Sequence, residues 1–444
     1  MAKVQQFLLT CLLAGALVLL AGPPPPQRST KLGPSSSLRP VGKIEPTRPS
    51  DFKEFITESC AGSGQRHSKD RIYPAQDVDS AGGVPDSPWY ENRHGTRRMS
   101  VDALVRGPGD GPPSSTSPWR VVAIKSEGVT PGFQIKDSAD RRYMVKLDPP
   151  DHPELATSAE AIATRLFHAF GYHVPGSYIV TFRRQDLIPD AKSDSPIGDQ
   201  DIDRLLSEQR HDDSGRYRAV ANRFIEGELV GPFYFSGVRP DDPNDLIPHE
   251  HRRSLRGLYV MSAWLNNTDT KSGNTLDAVV TEDGIRYVKH YLIDFGASLG
   301  SASYESKSPR QGHEYKMDLK PALLQLFTAG VYVPKWARAK YSRLRSVGAF
   351  EAKSFQPDKW KPSYPNPAFE NRLPEDTAWA ARKIAAFRDD DIRAIVGTGR
   401  YSDPEASEWI VKTLIVRRDK IVRAYLAGSK PNTESAARVT GRTR

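Results

Sequence analysis

Asp269 and Asn274 stand five residues apart with Lys271 between them, in the run Asn266-Asn267-Thr268-Asp269-Thr270-Lys271-Ser272-Gly273-Asn274. That is the D-x-x-x-x-N spacing of a phosphotransfer catalytic loop. The triplet Asp294-Phe295-Gly296 follows one hairpin later. Moving a phosphoryl group needs little covalent help and much management of charge, because phosphates repel an incoming hydroxyl or carboxylate. The hairpin is legible too. Residues 275–280 and 285–293 are apolar runs, and Glu282-Asp283-Gly284 between them contains the Asp-Gly pair favoured in tight turns. By itself the triplet also reads as a strand ending at a turn; joined to the spaced Asp and Asn, it reads as chemistry.

Together these residues resemble the large lobe of the protein-kinase-like superfamily, closer to its divergent HipA-like and secretory-pathway members than to ordinary Ser/Thr kinases. The resemblance implies an α+β, two-lobed protein-kinase-like fold, with a small β-rich ATP lobe and a larger helical lobe. It also implies roles. Asp269 would accept or orient the acceptor's proton, and Lys271 would stabilise charge on the transferring group. Asn274 and Asp294 would hold Mg²⁺ against the phosphates of ATP, a cation that needs only one or two carboxylates beside phosphate oxygens and water.

The elements that must present these groups can be read around them. Residues 121–124 open a strand, Glu127-Gly128-Val129-Thr130-Pro131-Gly132-Phe133 is a loop, residues 134–136 are a second strand, and Tyr143-Met144-Val145-Lys146-Leu147 is a third. Strand, glycine loop, strand, turn, strand with lysine is the order of a kinase ATP lobe. Gly128 and Gly132 would let backbone N–H groups approach phosphates. The loop departs from G-x-G-x-x-G by its two glycines and intervening proline, and an ordinary hairpin loop fits it equally well. Lys146, at the centre of an apolar strand, needs a partner unless it faces outward.

The next helix offers one. Pro153 marks its first turn, Ala156, Ala159, Ala163, Leu166 and Phe170 its apolar positions, and Gly171 its end. By the resemblance, Glu160 at mid-helix holds Lys146 toward the α- and β-phosphates, while Glu154 in the first turn serves the helix dipole. Gly171-Tyr172-His173-Val174-Pro175 and a strand at 177–182 resemble the HipA-like pattern of helix, G-x-x-V-P, strand; His168 and His173 are read as structural. Residues 187–214, with seven aspartates, read as an inserted loop. A strand at 218–225 leads to Glu226-Gly227-Glu228, where a kinase hinge would pass the adenine.

Two other chemistries compete. Asp241-Asp242-Pro243-Asn244-Asp245 and His249-Glu250-His251 look like metal ligands, but their irregular spacing and proline favour a loop capping a helix at 250–265. Gly296-Ala297-Ser298-Leu299-Gly300 fits the G-x-S-x-G nucleophile elbow of serine hydrolases. No apolar helix follows it, and Glu305 and His313 are the only acid and histidine placed to complete a triad; they lie too close in the chain to reach back over a sheet. No Ala-Pro-Glu segment follows Gly300, so activation-loop control is not carried over. Helices are expected at 319–328, 377–387, 390–396 and 407–426.

Composition bounds the rest. Sixty-three Lys and Arg against 54 Asp and Glu give a net charge of +9, a preference for anionic partners without the dense basic, aromatic run of a nucleic-acid binder. Two cysteines, Cys11 and Cys60, build neither a disulfide framework nor a thiolate metal site in the folded part. Residues 1–22 read as a signal peptide or membrane anchor, residues 23–50 as a Pro- and Ser-rich disordered linker, and 51–118 as an N-terminal extension. The extension holds short helices at 52–56 and 100–105, and Trp89 and Tyr90 pin it to the next domain. The small lobe is expected at 119–228, the large lobe at 229–428 and a disordered tail at 429–444.

The expectation is an exported or membrane-anchored monomer, with an anchor facing the cytoplasm left open, that transfers the γ-phosphate of ATP to a hydroxyl acceptor with Mg²⁺. Two alternatives stay open: a catalytically inactive pseudokinase acting as an envelope binding module, and a kinase-like enzyme that transfers the nucleotide instead.

Overall fold

The computed structural model describes residues 38–47, 73–125, 130–192, 197–316 and 335–427. The leader, both cysteines, Gly128 and the expected helices at 52–56 and 319–328 lie outside the described residues. No helix of the described residues is long and apolar enough to cross a membrane.

The chain is α+β, with a β-sheet half and a helical half. After a short helix α1 (Val101–Arg106), strands β1 (Trp119–Ile124), β2 (Gly132–Lys136) and β3 (Arg142–Leu147) pair antiparallel in succession. Strand periodicity sorts β3 by face. Tyr143, Val145 and Leu147 enter the core of the sheet, which leaves Met144 and Lys146 on the opposite face. Helix α2 (Leu155–Phe170) packs against that opposite face, where its Ala161 meets Ile179 and Val220. Strand β4 (Ser177–Arg183), the short β5 (Leu187–Pro189), helix α3 (Asp199–Ser207) and strand β6 (Arg216–Arg223) complete this half. The sheet runs β4-β6-β3-β2-β1-β5, parallel only between β1 and β5.

Residues 187–214 are therefore not a plain loop. Ile202 and Leu206 of α3 are buried in the core of the sheet, and Arg184 pairs with Asp199 and Asp203. Two apolar residues four apart suffice to dock a short helix, a stripe that the acidic composition masks.

Strands β7 (Glu228–Leu229), β8 (Thr275–Glu282) and β9 (Ile285–Leu292) form a second sheet in that order, and helix α4 (Arg253–Leu265) lies between β7 and β8 in the chain. The β8–β9 turn is the expected one, with Asp283 and Gly284 at φ 51° and 78°. Helices α5 (Pro367–Glu370), α6 (Pro374–Ala385), α7 (Asp389–Gly397) and α8 (Pro404–Leu426) follow. Every residue of α4 is buried. The main core gathers α2, α4, α6, α7 and α8 around Trp264, so α2 belongs to both halves.

The N-terminal extension is packed in. Tyr90 donates to the Phe170 carbonyl, and Trp89 stacks on His290 with ring centroids 3.6 Å apart. Residues 38–47, expected as spacer, lie along the second sheet instead. Val41 and Ile44 are buried with Val230, Val279 and Val288. The Val41 N–H donates to the Arg286 carbonyl and the Thr47 N–H to that of Val230, both at 2.8 Å. Gly231 makes room for this strap: it sits at φ +86°, and a Cβ there would meet the Thr47 carbonyl oxygen at 1.8 Å. Two apolar residues that find an open sheet edge outweigh a Pro-rich composition.

Candidate active site

Lys146 stands between two carboxylates. Its Nζ lies 3.2 Å from Glu160 Oε2 on α2 and 3.0 Å from Asp294 Oδ1 just past β9. Strand register fixes the lysine, since Lys146 pairs with Val220 on β6, and two residues along β6 Asn222 donates from Nδ2 to Glu160 Oε1 at 3.1 Å. A carboxylate only accepts, so this bond turns the amide and leaves Oδ1 of Asn222 buried without a partner. Burial opposes charge on Lys146, but Asp294 and Glu160 outweigh it and raise its pKa. Lys146 in turn lowers the pKa of Asp294, while burial raises that of Glu160.

The Asp-Phe-Gly turn is held to this cluster from two sides. Phe295 stacks on Phe167 of α2 with centroids 4.5 Å apart, and Gly296 comes so close that a Cβ would lie 3.2 Å from Glu160 Oε2. Asp294 adopts φ 59°, a left-handed conformation that short polar side chains tolerate and that concentrates at functional sites.

The hairpin joins the turn to the loop at residues 266–274. Thr275 pairs with Leu292 at its open end, and the Ile293 N–H donates to the Asn274 carbonyl at 3.0 Å. Asn274 and Asp294 therefore sit side by side. Asn274 Nδ2 donates to the Asp269 carbonyl at 2.7 Å and to Asp269 Oδ2 at 3.0 Å. With its nitrogen so engaged, the amide turns its oxygen away from Asp269. Lys271 is near enough to contribute to the depressed pKa of Asp294. The loop rests on the helical half through Ser363, whose N–H donates to the Thr268 carbonyl at 2.7 Å, and through Asn366, which donates to the Thr270 carbonyl at 3.1 Å.

Lys146, Glu160, Asp294, Asn274, Asp269 and Lys271 are thus brought to one place. Gly132 is not placed as a loop glycine. It opens β2, where a Cβ would strike the Val145 carbonyl oxygen at 2.3 Å, so strand packing accounts for it. Glu226 follows β6 at the crossing between halves, but its exposed side chain pairs with Arg223 at 2.7 Å.

Two cations were not singled out by sequence. Lys125, just past β1, donates to the Thr130 carbonyl at 2.8 Å; burial and then Lys146 lower its pKa, while Asp294 and Glu160 raise it, which places it at the same cleft. Lys307 is buried beneath the Asp-Phe-Gly turn, with Nζ 2.6 Å from the Ala297 carbonyl. Asn222 was missed as well. Its signal, one amide inside the apolar run of β6, is readable only once its neighbour on α2 is known.

The competing sites dissolve. Ser298 is fully buried, and His313 Nε2 faces Ser354 Oγ at 3.4 Å, so no elbow exists. Asp245 accepts from His249 and Arg252, both at 2.7 Å, and the Asp242 carboxylate accepts from the Asn244 N–H. Those acids tie a loop to the start of α4, and no group of three or more His, Cys, Asp and Glu among the described residues could hold a metal. His173 is a structural residue, its Nε2 3.3 Å from the Ser87 carbonyl and its pKa pushed by burial down to about 3.

No family model matches this chain, and no curated protein matches it. Among solved structures it is similar to the Helicobacter pylori proinflammatory kinase CtkA, at 12% identity over 71% of this chain and 100% of that one, with a TM-score of 0.38. It is also similar to the Golgi casein kinase, at 10% identity over 70% of this chain and 74% of that one, TM-score 0.32. A structure of the Golgi casein kinase with Mn/ADP bound matches at 10% identity over 83% of each chain, again with a TM-score of 0.32. Similarity this distant assigns no chemistry; the side chains must do that.

Proposed function

We propose that the chain is a two-lobed, protein-kinase-like phosphotransferase that moves the γ-phosphate of ATP to a hydroxyl acceptor with Mg²⁺. One observation carries the reading: Lys146, Glu160 and Asp294 meet at the open end of a hairpin, and the strand beside Asp294 begins there with Asn274, bonded to Asp269. Five groups far apart in the chain converge at the junction of the halves, in the types that phosphoryl transfer uses.

Asn274 and Asp294 offer adjacent oxygen ligands of the kind magnesium takes, and the orientation of the Asn274 amide fits such a cation. The ion, when bound, would neutralise charge between the phosphates. Lys146 would exchange one carboxylate for phosphate oxygens while Glu160 keeps it aimed. Asp269 would receive the proton of the acceptor hydroxyl, and Lys271 would stand beside the transferring group. We place this domain at the cell envelope, behind a leader at residues 1–22.

The test is transfer from γ-labelled and α-labelled ATP, with thermal shift recorded on the same samples. The reading expects Mg-ATP to stabilise the protein, γ-label alone to move, and Asp269→Asn to lower transfer by about 10²–10⁴-fold with its melting curve unchanged. Stabilisation without turnover would mark a pseudokinase, and movement of the α-label a nucleotidyltransferase. A wild-type rate in Asp269→Asn would remove the assignment of the loop.

A further inference from the structure

Residues 297–307 double back beneath the Asp-Phe-Gly turn. The Ser301 N–H donates to the Ser298 carbonyl, that of Ala302 to Glu305, and that of Lys307 to Gly300, each at 2.8 Å. Gly300 sits at φ +92°, and a Cβ there would lie 2.5 Å from the Val347 carbonyl oxygen, so the turn is seated against residues 347–349. The effect is to thrust Lys307 inward, where it is 2% exposed.

An ammonium has three N–H donors and, once buried, calls for a counter-charge. Among the described residues Lys307 donates to the Ala297 carbonyl at 2.6 Å, and no carboxylate reaches it at ion-pair distance. Two charges act on it from the elements packed around it: Asp269 of the catalytic loop favours its charged form, and Lys316 opposes it. Residues 347–349, on the remaining side, are Val-Gly-Ala. A methionine would fill the same space without desolvating a charge.

We propose that Lys307 is a positioning residue for the Asp-Phe-Gly turn, holding the Ala297 carbonyl from beneath it. The inference rests on the phosphotransferase reading for its rate effects, but not for the state of the amine. Burial pushes that amine down to about 7, so it is only partly charged in neutral solution. Extra negative charge at the site draws a proton onto it, and the supporting charge strengthens as a polyphosphate arrives.

The experiment uses the full chain with Lys307→Met and Lys307→Arg. In lysine side-chain NMR of the wild type, one amine should titrate near neutrality, vanish in Lys307→Met and move to higher pH when Mg-ADP is added. In the transfer assay, wild-type kcat should fall on the alkaline side of neutrality as the amine loses its proton. Lys307→Arg should keep its rate there, and Lys307→Met should be slower by about tenfold below neutrality, a gap that closes as the wild type loses its proton. A merely structural lysine would titrate in the NMR experiment too, but would leave the kcat profile unmoved. The proposal is overturned if no lysine titrates near neutrality, or if Lys307→Met keeps the wild-type rate and profile. A wild type without transfer would count against the phosphotransferase reading, and the NMR titration would still decide the amine. Because that titration is read on wild-type protein, a variant that fails to fold does not block it.

Discussion

Lys146 and Lys307 lie on either side of one Asp-Phe-Gly turn, and the protein drives them in opposite directions. Burial works against charge on both. At Lys146 two carboxylates at 3.0 and 3.2 Å overcome it, and the amine stays protonated well past its ordinary range. At Lys307 a single carbonyl and the more remote Asp269 do not, and the amine falls to about 7. Depth alone decides neither case. The number of anions within reach does, and the hairpin that brings Asp294 back to Asn274 is what gives one lysine its second anion.

The largest test of that contrast is Lys146→Met. It leaves the buried Glu160 without its cation beside the half-exposed Asp294, and unfolding in urea should show a loss of about 3 kcal/mol, the scale for removing one partner of a buried pair. Transfer should fall by about 10³-fold or more in the same variant. Glu160→Gln is milder, because Lys146 keeps Asp294. An apparent KM for ATP about tenfold higher is expected, with a smaller change in kcat; unchanged kinetics would mean that α2 does not aim the lysine.

The pH dependence of stability separates the two lysines by sign. A lysine whose folded pKa is lowered binds fewer protons folded than unfolded between the two values, so its contribution to stability rises with pH across that window. For Lys307 the window runs from about 7 to 10.5. The raised pKa of Lys146 acts oppositely, its contribution being full below 10.5 and lost above it. Subtracting the stability profile of Lys307→Met from that of wild type should leave a curve that climbs between pH 7 and 10; a flat difference would mean that the buried amine is not perturbed. The smallest effect is expected of Asn222→Ala, which removes a hydrogen bond to Glu160 and also deletes an orphaned oxygen. A cost of about 1 kcal/mol in thermal unfolding is expected.

What the sequence showed, and what it hid, follow the same physical line. Asp269, Asn274 and Asp294 were legible because one short hairpin, marked by an Asp-Gly turn, sets their geometry. Lys146 was legible because charge stands out in an alternating strand, and Glu160 because it lies mid-helix on the next element. The order of strands and most helices followed from periodicity. Asn222, Lys125 and Lys307 were not legible, since their partners come from pairings that no local pattern encodes. Gly132 opens a strand against β3, and a glycine needed for strand packing looks, in sequence, like a glycine needed for a ligand. Helix α3 and the 38–47 strap were hidden by composition, which averages away the two apolar residues that dock each of them.

The strap has a consequence for how the molecule is handled. β9 is the border strand of its sheet, and its outward backbone groups are met by Val41, by Pro88 and by His173. A version shortened to begin after residue 47 would bare the stretch around Arg286 and strip the cover from Val230, Val279 and Val288. Unguarded borders of that kind recruit strands from other molecules. The stretch at residues 38–47 thus guards that border, and shortened versions that omit it should self-associate more than the longer protein does.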